Sequence, residues 1–162
     1  MRRTTERPAS FVTGRVASGA AALWIVAAVA GSGCTSAGPG AADPPCVVGL
    51  TKACSATYDP PVYDTIFAKI LRPTCATGGS SCHAAAGHQN GLVLEDADAS
   101  YALLLGQGGA RARVTPGDPS CSLIMKRLTS TDPSYHMPPG TTSLSAGDQC
   151  TIVQWISAGA KR

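Results

Sequence analysis

Apolar residues recur at helical spacing in four stretches of this chain. Tyr63, Ile66, Phe67, Ile70 and Leu71 follow the i, i+3, i+4, i+7, i+8 pattern of one buried helix face. Asp59 is placed to cap that helix, Pro60 and Pro61 to start it and Pro73 to stop it. A second helix is predicted from Ala97 to Leu105, with Asp96 and Asp98 as helix-start residues and Gly106 at its end. A third is predicted to start at Asp118-Pro119 and carries Leu123, Ile124 and Leu128. A fourth is predicted to start at Ser145, with Asp148 three residues on as an approximate capping box. Its apolar residues are Ile152, Val153, Trp155 and Ile156, and Gly159 ends it. Between these stretches the chain is rich in Gly and Pro, at 87–91, 106–117 and 133–140, and no run alternates as a strand does. The pattern therefore predicts one mainly α domain, residues 59–162, with about four short helices and long loops. No internal repeat is visible.

The first 33 residues obey a different rule. Arg2, Arg3, Arg7 and Arg15 precede an apolar run from Val16 to Ala30 and the small residues Gly31-Ser32-Gly33. That order is the order of a secretory signal, and the run is short for a membrane span of about 20 residues. Small residues directly before Cys34 also resemble a bacterial lipobox, although Gly31 stands where Leu is usual. Residues 1–33 are thus read as a lipoprotein-type signal peptide, with Cys34 the lipidation site. Residues 34–58 are rich in Gly, Ala, Pro, Ser and Thr and read as a flexible tether. Its 24 residues from Thr35 would span roughly 25–30 Å as a coil. Cys46 and Cys54 fall within it, so part of it is expected to be stapled.

Removing the signal changes the charge. The whole chain has 13 Lys+Arg against 10 Asp+Glu, a formal net charge of +3. Four Arg and one Glu leave with residues 1–33, so nine basic and nine acidic residues remain. A neutral domain has no basic stripe, and nucleic-acid binding is excluded on that ground. Aromatic residues are only 5% of the chain, with Phe67 and Trp155 the large ones at clear helix-core positions. A domain of about 100 residues with so few aromatics and such long loops calls for a disulfide, a metal or a bound group.

The chemistry is concentrated in Cys75-Ala76-Thr77-Gly78-Gly79-Ser80-Ser81-Cys82-His83, directly after the first helix. A cysteine pair ending in Cys-His is the form of c-type haem attachment, in which the following His faces the iron. Met137, in His136-Met137-Pro138-Pro139, is suited to be the second axial ligand, because its prolines stiffen the loop. His136 is the alternative at that position. A zinc site of Cys75, Cys82, His83 and His88 is a weaker reading, since adjacent Cys82 and His83 would have to converge on one tetrahedral ion. Cys75 and Cys82 also fit a plain disulfide beside a surface His83. Arg111 and Arg113 fit haem propionates, although such arginines are more often simply solvated. No Ser/His/Asp set, paired carboxylate or phosphate-binding loop is present.

Residues from about Tyr63 to Ala160 resemble the single-haem cytochrome c domains of the planctomycete type. The resemblance runs in order through Ile70-Leu71-Arg72-Pro73-Thr74-Cys75, Cys82-His83, Gly91-Leu92-Val93-Leu94 and Val114-Thr115-Pro116-Gly117-Asp118-Pro119. It continues through Ser122-Leu123-Ile124, Met137-Pro138-Pro139, Leu144-Ser145 and Trp155-Ile156-Ser157-Ala158-Gly159-Ala160. It implies a helical, cytochrome c-like fold around one covalent haem c. It also implies attachment at Cys75 and Cys82, His83 as proximal ligand and Met137 as distal ligand. The chain departs from the family's Cys-x-x-Cys-His, because six residues separate its two cysteines. All six are small, and Gly78-Gly79 permits a bulge without steric cost.

The function so implied is electron transfer rather than catalysis. The expected setting is the cell envelope, exported and lipid-anchored facing the periplasm, with redox proteins as partners. Two rivals stand beside it: a degenerate non-haem, disulfide-stapled envelope lipoprotein with a binding or structural role, and a haem enzyme such as a peroxidase. Four further cysteines remain for disulfides. The simplest pairing is Cys46 with Cys54 and Cys121 with Cys150.

Overall fold

The computed structural model describes residues 43–77 and 82–162, all within the compact unit Gly31–Arg162. The signal peptide and Cys34 lie outside the described residues. The described chain is helical, and no strand occurs among the described residues. None of its helices is long and apolar enough to cross a membrane.

The first helical path has three consecutive parts: α1 (Tyr63–Ile66), a π-helical turn (Phe67–Leu71) and α2 (Arg72–Cys75). The five apolar positions read from the pattern are all buried. The two ends differ from expectation. Asp59 does not cap the helix; Val62 stands at the N-cap with an extended backbone and no capping side chain. A residue preceding proline is disfavoured in the helical region, so Pro61 holds Pro60 out of the helix. Nor does Pro73 stop the path, which runs on to Cys75. The Arg72 N–H bonds the carbonyl of Phe67, five residues back. This widened turn, just before Pro73, changes the register of acceptors against which the proline ring would otherwise clash.

The second and fourth helices follow their punctuation. In α3 (Ala97–Leu104) the Asp96 carboxylate accepts from the Ala99 N–H at 2.9 Å, and Gly106 takes a φ of +73° just beyond the end. In α5 (Ala146–Ser157) the Ser145 hydroxyl accepts from the Asp148 N–H at 3.0 Å. The third helix starts later than predicted, as α4 (Leu123–Leu128). Asp118 caps a single turn instead, accepting from the Cys121 N–H at 3.0 Å. Ser122 then extends, and its hydroxyl serves both the Thr115 N–H (2.8 Å) and the Asp118 carbonyl (2.7 Å). That buried tie separates the turn from α4.

α1 and α5 pack around four rings. Tyr63 lies 4.8 Å from Tyr101 and 5.5 Å from Trp155, centroid to centroid, with Phe67 at 6.2 Å. Tyr63 is fully buried, and burial raises its phenol well above the usual range. The aromatic core is thus larger than Phe67 and Trp155 alone.

The disulfides correct the expected pairing. They join Cys46 to Cys121 and Cys54 to Cys150. Cys121, just before α4, and Cys150, within α5, thus each draw in the N-terminal segment rather than bridge to one another. Backbone and side-chain bonds follow the same course: Val47 N–H to the Ser120 carbonyl (2.9 Å), Thr57 N–H to the Gly147 carbonyl (3.1 Å), and Gln154 Nε2 to the Cys54 carbonyl (3.0 Å). Residues 43–58 are therefore bound along α4 and α5, not a free tether. The remaining tether positions, 34–42, lie outside the described residues.

Candidate functional site

An open cavity of about 970 Å³, solvent at its mouth included, lies between the end of the first helical path, α4 and the loop before α5. Its wall is largely apolar: Leu71, Leu92, Leu94, Leu104, Leu123, Ile124, Leu128 and Leu144 all face it. Cys75, Cys82, His83 and Met137 line this same cavity. The four residues singled out by chemistry, from three separate loops and helix ends, are thus brought together.

The long spacing of the cysteines closes in a simple way. The His83 N–H donates to the Cys75 carbonyl at 3.2 Å. In Cys-x-x-Cys-His the His is four residues after the first Cys, and an α-turn would make that same N–H to carbonyl bond. Here the bond forms although the sequence between the two residues is four residues longer. Ala76 still closes on α2, its N–H meeting the Arg72 carbonyl at 3.2 Å. Residues 78–81 lie outside the described residues.

His83 is oriented by its backbone surroundings. Its Nδ1 lies 3.3 Å from the Leu92 carbonyl and donates to it, so the ring presents Nε2 as the nitrogen with a lone pair. The Leu94 N–H meets the His83 carbonyl at 2.8 Å and fixes the same loop. Burial is the main cause that lowers the imidazole's proton affinity, and the Arg113 charge adds to it. The ring is therefore neutral at pH 7, the form in which imidazole ligates a metal.

Met137 is held by its N–H to the Arg127 carbonyl at 3.0 Å, and Pro138 and Pro139 continue the cavity wall. Its neighbour His136 does not line the cavity. The His136 ring is engaged within its own loop, Nδ1 with the Pro138 carbonyl (2.9 Å) and Nε2 with Ser143 Oγ (3.4 Å). His88 is exposed, its Nδ1 on the Ala85 carbonyl at 3.2 Å. Among the described residues no three His, Cys, Asp or Glu side chains form a metal-holding group. His83 and Met137 thus line the cavity, whereas His88 and His136 do not.

Residues 80–140 match the family model described as Planctomycete cytochrome C. Over that stretch, less than half of its length, the chain is similar to cytochrome c domains of the planctomycete type. A domain of this type is a haem-binding electron-transfer module in general terms. The matched stretch contains Cys82, His83 and Met137, while Cys75 precedes it. No curated protein and no solved structure matches the chain.

Three arginines reach the cavity: Arg111, Arg113 and Arg127. Arg111 is half exposed and pairs with Asp43, whose carboxyl it holds below the usual range. Arg127 lies 3.7 Å above the Tyr135 ring and donates to the Tyr135 carbonyl at 3.1 Å. Arg113 is only 6% exposed. It donates to the carbonyls of Leu103 (3.1 Å), Arg111 (2.5 Å) and Asn90 (2.5 Å). Sequence reasoning raised Arg111 and Arg113 but favoured solvation, and it missed Arg127. A signal for Arg127 exists: it stands four after Leu123 and three after Ile124, on the apolar face of α4.

Proposed function

We propose that this domain is a periplasmic electron carrier with one haem c, covalently held by Cys75 and Cys82 and ligated by His83 and Met137. The observation that carries the reading is the convergence of those four residues on one apolar cavity. The donor set suits the group. His83 offers a neutral ring with Nε2 available, and Met137 offers a soft thioether held by a stiff loop. The apolar wall suits a macrocycle, and Arg111 and Arg127, the less buried of the three arginines, suit its carboxylates.

When bound, the haem supplies a one-electron ferrous/ferric couple. The chain's own residues do the rest. Leu92 holds the His83 tautomer, as an outer partner does for a ligating histidine. Leu71, Leu94, Leu104 and Leu128 keep water from the site, which together with a thioether ligand favours a raised potential. Were His83 and Met137 both to ligate the iron, no coordination site would be open to a substrate, which supports a carrier rather than an enzyme. In the same reading residues 1–33 direct export and a lipid on Cys34 anchors the chain to the envelope. Redox proteins dock at the cavity mouth.

The test is to produce the protein together with cytochrome c maturation machinery and record its spectrum and mass. A Soret band with haem mass retained after acid extraction supports the reading. Protein lacking both refutes it.

A further inference from the structure

Arg113 differs from the other two arginines at the cavity in being buried, at 6% exposed, without a carboxylate partner among the described residues. Its partners are three backbone carbonyls, those of Leu103, Arg111 and Asn90. Carbonyls satisfy its N–H groups but do not neutralise its charge. Among the described residues no carboxylate forms an ion pair with it, whereas Arg111 has Asp43 and Arg127 has the Tyr135 ring. A guanidinium does not lose its proton in a protein, so the buried group stays positive. It is also fixed in place. Arg113 ties the Asn90 turn to the end of α3, two residues before Leu92, whose carbonyl holds the His83 ring. A buried cation held by three carbonyls, with no carboxylate paired to it among the described residues, is thus built into the wall on the His83 side of the cavity.

We propose that the buried charge of Arg113 raises the reduction potential of the cofactor held by His83. The inference rests on the electron-carrier reading above. Arg113 acts here as a positioning and electrostatic residue, not as a ligand. The step it biases is balanced simply: one electron arrives from a one-electron donor, the iron is reduced, and no bond or proton changes hands. A fixed cation in a poorly screened wall stabilises the reduced site. At an effective dielectric of about 20 and a separation of about 10 Å, one charge changes the equilibrium by roughly tenfold. For a one-electron couple a tenfold change is about 59 mV.

The experiment is a redox titration of the haem-loaded protein at pH 7, with Arg113→Gln, Arg113→Lys, Asn90→Asp and, as a control, Lys69→Gln. Lys69 is an exposed cation that does not line the cavity. Arg113→Gln should shift the equilibrium roughly tenfold toward the ferric form. Arg113→Lys restores the charge and should stay near the parent value, as should Lys69→Gln. Asn90→Asp sets a carboxylate beside an intact Arg113 at an exposed position, and should lower the potential even if Arg113→Gln fails to fold. An unchanged potential in Arg113→Gln or Asn90→Asp would overturn the proposal. A fall in Arg113→Lys equal to that in Arg113→Gln would overturn it too, since the hydrogen bonds rather than the charge would then be responsible. A parent protein without covalent haem overturns the carrier reading itself. Normal haem bands with an unmoved potential overturn only this inference.

Discussion

Removing one disulfide by Cys54→Ala with Cys150→Ala should destabilise the domain by about 4 kcal/mol, and the connectivity sets that figure. Cys54–Cys150 spans 96 residues of sequence and Cys46–Cys121 spans 75. The two loops overlap, so with one bridge in place the other closes a shorter circuit. That circuit runs from Cys46 to Cys54 and from Cys121 to Cys150, about 37 residues in all. Loop-closure entropy for that length is about 13 cal/mol/K, or about 3.8 kcal/mol at 25 °C. The circuit is the same whichever bridge is removed, so Cys46→Ala with Cys121→Ala should cost a similar amount. Urea unfolding of the haem-loaded protein at pH 7 measures the loss, and peptide mapping of the same sample reports the remaining thiols. Cys46 and Cys121 should stay bridged in the first variant. A loss below about 1 kcal/mol would refute the entropic argument. New reactive thiols at Cys46 and Cys121 would refute the connectivity itself.

Met137→Ala should open one axial position: the ferrous protein should then bind carbon monoxide, with a changed absorption spectrum, where the parent does not. An unchanged spectrum would remove Met137 from the ligand set. Gly106→Ala should destabilise by roughly 1–3 kcal/mol in thermal or urea unfolding. Gly106 has a φ of +73°, and a Cβ there would meet Ala112 Cβ at 2.9 Å and the Ala110 carbonyl at 3.0 Å. In haem-free protein, stability should fall as pH drops below about 6.5, where an ordinary imidazole begins to take up protons. Burial holds the His83 pKa down in the folded state, so the unfolded chain binds more protons in that window and stability rises with pH. His83→Gln should flatten that slope.

The helices that were legible are those whose ends are written in side chains. Asp96 and Ser145 cap α3 and α5 through their own oxygens, a relation between residues three apart that any reader of the sequence has in hand. The first helical path is different. Its passage through Pro73 depends on the Arg72 N–H choosing the Phe67 carbonyl, a hydrogen-bond register with no sequence signature. α4 begins late because Ser122 bonds back to Thr115 and Asp118, which depends on how the preceding loop folds. The disulfides were countable but not pairable, since their partners are chosen by where residues 43–58 lie along α4 and α5. At the site the motif named Cys75, Cys82, His83 and Met137, because those residue types carry their chemistry locally. The hydrogen bond from His83 to Leu92, nine residues on, and the burial of Arg113 depend on how the loops between these residues fold. Neither has a local pattern to read.

The account stands most directly on the covalent link. Proteolysis of the matured protein and mass analysis of the peptide that contains Cys75, Cys82 and His83 measures it. The account predicts one haem retained on that peptide after acid extraction, joined through both sulfurs. A peptide of unmodified mass, or one carrying only a Cys75–Cys82 disulfide, would contradict it.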